Sequence, residues 1–105
     1  MGGEYFEHIA MGKTADEAFD AAVESAQHDY GHAGYTGTIA EKDEFVMVRD
    51  ASAATQDDAK AFADKLMDDR DPRVDDKWGP AGCIKIGEPD ESGQQAFLFF
   101  GVANS

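Results

Sequence analysis

The chain has 105 residues and 22 acidic against 9 basic side chains, a formal charge of −13. Such an excess disfavours nucleic acid and anionic membrane as direct partners, because both are bound by Lys and Arg that release counterions. It suits a basic protein surface, a cation or plain solubility, while 42% hydrophobic content argues for a folded chain.

The acidity is uneven. Residues 1–50 carry −8 and residues 51–105 carry −5. A salt-rich cytoplasm could select such a balance, but Lys outnumbers Arg 6 to 3. The lone Cys83 excludes an internal disulfide and fits a reducing compartment. Met1-Gly2-Gly3-Glu4 has neither a basic n-region nor an apolar run, and residue 6 is Phe where the myristoylation pattern needs Ser or Thr. The longest apolar run, Ala96-Phe97-Leu98-Phe99-Phe100, is far too short to span a bilayer. The expectation is one cytoplasmic domain, residues 1–105.

In chain order, residues 4–11 alternate imperfectly and predict a first strand. Thr14-Ala15-Asp16-Glu17 is a capping box. Behind it Ala18, Phe19, Ala22, Val23, Ala26 and Tyr30 recur at three- and four-residue steps and predict a helix over 14–30. Asp16, Glu17, Asp20 and Glu24 make the opposite, acidic face, and Gly31 is the natural stop.

Residues 36–41 and 45–49 then predict two strands, joined by Lys42-Asp43-Glu44 as a hairpin without the usual turn chemistry. After a linker at 51–54, Thr55 caps a second helix with Asp58 at N3. Ala59, Phe62, Ala63, Leu66 and Met67 form its apolar stripe, and it ends near Asp69 or Arg70, ahead of Asp71-Pro72. Residues 71–80 show no periodicity. Residues 81–86 predict a strand, 87–93 a hydrophilic turn, and 94–102 the most apolar strand. A run without alternation wants both faces covered, so that last strand is expected to be central.

The element order β-α-β-β-α-β-β predicts an α+β fold, with two helices packed on one face of a mostly antiparallel sheet. A ferredoxin-like core with one extra strand is one version of it.

Three blocks of residues carry a resemblance. They are Tyr30-Gly31-His32-Ala33-Gly34-Tyr35-Thr36-Gly37-Thr38-Ile39-Ala40-Glu41-Lys42, then Asp75-Asp76-Lys77-Trp78-Gly79-Pro80-Ala81-Gly82, then Phe97-Leu98-Phe99-Phe100-Gly101. Together they resemble a family of small uncharacterised proteins of actinobacteria and their phages. The resemblance implies a cytosolic accessory protein of a mobile element. It brings no catalytic residue with it, since that family has no assigned activity.

Two loops are candidate sites, because loops on a rigid scaffold carry function more often than core faces do. The first spans residues 28–38. His28 and His32 stand at i and i+4, the spacing of a shared metal on a helix face, with Asp29 as a third ligand. Gly31 between them ends the helix, however, and the Glu of a His-Glu-x-x-His site is missing. Capping and loop packing are the plainer role for these histidines, and no metal or cofactor is expected.

Gly31, Gly34 and Gly37 could form an anion nest. Their loop leads into a strand, though, whereas phosphate loops lead into a helix N-terminus. Turn-forming glycines are the simpler reading. The second loop, 71–80, holds Trp78 flanked by Arg73 and Lys77, which suits an interface anchor, against the plainer alternative that Trp78 folds back on the core. Cys83 reads as a small buried hydrophobe. Acids around the second helix are interspersed with Lys60, Lys65, Arg70, Arg73 and Lys77, an ordinary solvated face without an EF-hand loop.

No complete catalytic constellation is present, so the chain reads as a binding module rather than an enzyme. The expected partner is a protein with a basic surface that meets the acidic face Asp16, Glu17, Asp20 and Glu24. A specific version is inhibition of a host nucleic-acid-handling protein by occupying its DNA site. The alternative is a small-ligand or metal-dependent function centred on His28, Asp29, His32, Tyr35 and Thr36. A homo-oligomer is open if the apolar strand 94–102 lies at a sheet edge.

Overall fold

The structure is a computed structural model, and it describes residues 3–30, 39, 42–48, 53–75 and 79–104. Six elements follow one another: β1 (Gly3–Gly12), α1 (Ala15–Tyr30), β2 (Phe45–Met47), α2 (Gln56–Asp68), β3 (Ala81–Ile86) and β4 (Gln95–Asn104). Both helices start as their local chemistry dictates. Thr14 Oγ1 accepts from the Glu17 amide and Thr55 Oγ1 from the Asp58 amide, each at 3.2 Å, satisfying amides that have no partner inside the helix.

α2 stops in a Schellman turn. The Asp71 amide donates to the Leu66 carbonyl at 3.0 Å and the Arg70 amide to the Met67 carbonyl at 3.1 Å, with Arg70 at φ 53°. Gly12 is needed where β1 turns into α1, because a Cβ there would stand 2.6 Å from the Ala18 nitrogen.

The sheet order is β1-β4-β3-β2. β4 lies inside it, antiparallel to β1 on one side and to β3 on the other, as its unbroken apolar run implied. β2 pairs with β3 in parallel, Phe45 opposite Ala81 and Met47 opposite Cys83. Bonds from the Ala81 amide to Glu44 and from the Val48 amide to Cys83 prolong that ladder at both ends. Most of the expected hairpin partner of β2, residues 36–41, lies outside the described residues. Of the expected strand 36–41 only Ile39 is described, buried, with its carbonyl accepting from the Lys42 amide in an i to i+3 turn. A ferredoxin-like core has two strands between its helices; among the described residues one lies there.

The class is α+β with two helices on a mostly antiparallel sheet, but the helices do not share a face. α1 packs through Ala18, Phe19, Ala22 and Ala26 on Phe6, Phe97, Phe99 and Cys83. α2 packs through Ala59 and Ala63 on Ile84, Ile86, Leu98 and Phe100, which point the other way from the same strands. The cause is the strand order. The crossover through α1 runs from β1 across the sheet to β2, and the crossover through α2 runs back from β2 to β3. Two crossovers of the same hand that travel in opposite directions put their helices on opposite faces.

β4 thus has a core on each side. Toward α1 the rings of Phe19, Phe45 and Phe99 meet at centroid distances of 5.1–5.6 Å. Toward α2, Gly82 leaves room for the Phe100 ring and Val74.

Candidate functional site

Each of the three parallel strands, β1, β2 and β3, starts at the same end of the sheet. The described residues just before β2 and β3, 42–44 and 79–80, therefore lie together there, downstream of the loop 28–38 and at the end of the loop 71–80 that the sequence singles out. One described contact ties them together. Lys42, 3% exposed, donates its ammonium to the Gly79 carbonyl at 2.8 Å. A buried lysine needs such partners because its charge is costly away from water. Nothing local in Lys42-Asp43-Glu44 announces a contact 37 residues away.

Of the first loop, His28 is described and exposed on the last turn of α1, and Asp29 lies in the same turn. His32, Tyr35 and Thr36 fall outside the described residues, as do Gly31, Gly34 and Gly37. Among the described residues no group of three or more His, Cys, Asp or Glu could hold a metal ion.

In the second loop Trp78 is outside the described residues. Arg73 is described, and its guanidinium is turned onto Asp71. Nε donates to Oδ1 at 2.9 Å and Nη2 to Oδ2 at 2.8 Å, while the Arg73 amide also donates to Oδ1 at 2.9 Å. This fork holds the Asp71 carboxyl down at about 2. The turn it builds seats Val74 wholly in the α2-side core, an anchor that the missing periodicity of 71–80 did not reveal. Cys83 is buried, and desolvation pushes its thiol up to about 12, which suits packing rather than nucleophilic attack.

The acidic face stands as its helical spacing predicts. Asp16, Glu17, Asp20 and Glu24 are all exposed on the side of α1 away from its buried alanines. Open grooves run along both flanks of the second half of α1. One of about 460 Å³ lies between Asp20, Val23, Glu24 and Gln27 and the following segment at Lys42 and Asp43. The other, about 510 Å³, is lined by Ala21, Glu24, Ser25, Gln27 and His28. Glu24 and Gln27 border both. Groove walls of this kind pair carboxylates with short aliphatic surface and can take long cationic side chains, whose stems pack while their heads find the acids.

A second acidic feature, missed in the sequence, lies on the other face. The Tyr5 hydroxyl on β1 donates to the Glu7 carboxylate and lies 3.2 Å from Asp64 Oδ1 on α2. Partial burial and the two carboxylates push the Tyr5 ionisation far above its usual range, so the ring keeps its proton.

No helix among the described residues is long and apolar enough to cross a membrane. Comparison with protein-family models, with curated proteins and with solved structures gave no match.

Proposed function

We propose that this chain is a small cytoplasmic binding module that docks its α1 face onto a basic surface of another protein. The observation that supports the reading most is the exposed quartet Asp16, Glu17, Asp20 and Glu24, on a helix of 16 residues that contains no Lys or Arg. Grooves on both flanks of that helix give side chains of a partner somewhere to lie. Four carboxylates on one helix face also follow the charge density of a nucleic-acid backbone, which fits a target that ordinarily handles nucleic acid. An accessory protein of a phage or mobile element, as the family resemblance implies, would act by occupying that target's binding surface.

The test is capture of a partner from host lysate by the wild-type chain and by Asp20→Lys/Glu24→Lys, each in low and high salt. Asp16 and Glu17 stay unchanged because acids in the first turn support the helix itself. Raising salt from about 0.1 to 1 M shortens the screening length from about 10 to 3 Å. A partner lost both with salt and with the reversed charges supports the reading. A partner held equally by wild type and the reversed variant in high salt refutes it.

A further inference from the structure

Of the two ten-residue strands, β4 is paired on both sides and β1 on one. β1 runs ten residues, pairs with β4 on one side, and among the described residues meets no strand on the other. Natural sheets blunt such edges with charged side chains, Lys above all, with Pro or with shortness; Gly3–Gly12 contains neither Lys nor Pro, and its charged residues are Glu4 and Glu7. Its row on the α2 side is Tyr5, Glu7, Ile9 and Met11, and Tyr5 and Met11 are 43% and 45% exposed. They are two of the three exposed large hydrophobic residues among those described, the third being Phe62 on α2.

We propose that the edge of β1 turned away from β4 pairs antiparallel with β1 of a second copy of this chain, across a two-fold axis at His8. A two-fold axis perpendicular to the sheet keeps facing residues on the same face, so the axis must pass through a residue and not between two. Two axes give the longest overlap on a strand spanning residues 3–12. An axis at Glu7 sets Glu7 against its own copy, a like-charge pair that opposes pairing. The axis at His8 overlaps residues 4–12 and faces no acid with an acid: Glu7 meets Ile9, Glu4 meets Gly12 and Phe6 meets Ala10.

The same register lays Met11 over Tyr5 of the copy, twice, so each exposed thioether covers an exposed ring, a favourable sulfur–aromatic contact. The two sheets join into one of eight strands. A charge of −13 on each copy opposes the association at long range, so added salt tightens the pairing, opposite in sign to docking on a basic partner. The two surfaces are independent, one being a strand edge and the other a helix face.

The test is the solution mass of the full chain by sedimentation, with three variants. The expected mass is twice 11.3 kDa, with dissociation on dilution and tighter association in high salt. Met11→Glu brings a carboxylate opposite Tyr5, beside Glu7 and Asp64 of the copy, and weakens the dimer by about tenfold or more, 1.4 kcal/mol per decade. Met11→Lys brings an ammonium to the same acids and leaves the dimer as tight or tighter. Under oxidation His8→Cys links two copies, because facing Cα atoms are about 4.5–5.5 Å apart, within disulfide reach. Ala10→Cys does not link, its copy being four residues further on, roughly 13 Å. A monomer at every soluble concentration overturns the proposal, as does a dimer indifferent to the sign of the charge at residue 11, or equal linking by both cysteine variants.

Discussion

Replacing Gly82 by Ala tests the packing between β3 and the α2-side core. A Cβ at residue 82 would stand 2.5 Å from Phe100 Cζ, 2.6 Å from its Cε1 and 2.7 Å from Val74 Cγ1. Carbon atoms rest at about 3.5–4.0 Å, so something must yield by roughly 1 Å. Neither neighbour has room, since Phe100 is 0% and Val74 1% exposed, and the Phe100 ring cannot swing without leaving its core. Gly82 also sits in the middle of the ladder opposite Phe100, so the backbone is held on both edges. Overpacking of this kind costs about 1–3 kcal/mol. For a domain of this size that lowers Tm by roughly 5–20 °C. Thermal and urea unfolding followed by circular dichroism measure it. Gly82→Ala/Phe100→Leu, which shortens the ring that the methyl meets, recovers on the order of 1 kcal/mol relative to the sum of the single changes. A Gly82→Ala protein as stable as the wild type, or no coupling to residue 100, would refute the packing argument.

Three further changes probe the elements that hold the loops. Arg70→Gly relieves a left-handed residue at the end of α2, worth about 1–2 kcal/mol locally and partly offset by the freer unfolded chain, so unfolding shifts upward by about 0.5–1 kcal/mol. Lys42→Met removes the ammonium from the Gly79 carbonyl and costs about 1.5–3 kcal/mol; amide exchange at Ala81, next to that tie, quickens with it. Asp71→Asn acts through pH. The folded carboxyl is held at about 2 against an ordinary 3.8, so its stabilisation is present above about pH 4 and is lost as pH falls toward 2. The wild type is then more stable than the Asn variant near neutral pH, by less than about 1 kcal/mol for so exposed a pair, and the two converge near pH 2 in acid titrations of unfolding.

How far the sequence could be read depended on the distance over which each feature is determined. The caps at Thr14 and Thr55 bind amides three residues on, so both helices could be placed from neighbours alone. The 87–93 turn is equally local, built by Asp90 Oδ1 accepting from the Ser92 and Gln94 amides at 2.9 Å. The acidic face needed only the helical period. At the candidate site His28 and Arg73 could be named but not their surroundings. Arg73 binds its neighbour Asp71, and His28 lines a groove whose described walls are all on α1.

The opposite placement of the two helices follows from β4 itself. Residues 95–100 lack alternation because both of their faces are buried, and a strand buried on both faces implies a layer on each side. The apolar run of β4 therefore already implies a helix layer on each face, against the expectation of both helices on one.

The chain by itself determined its charge, its two capped amphipathic helices, their polar and apolar faces, and the buried central position of β4. These follow from periodicity and from interactions within a few residues. Only the tertiary structure decided that β2 joins β3 in parallel, that the helices take opposite faces, and that Lys42 reaches Gly79. It likewise decided that Tyr5 meets Asp64 and that, among the described strands, β1 lies at the edge of the sheet. Each of these pairs groups across tens of residues. The partner is chosen by which surfaces remain to be buried once the local elements exist, a property of the whole packing and not of any one segment.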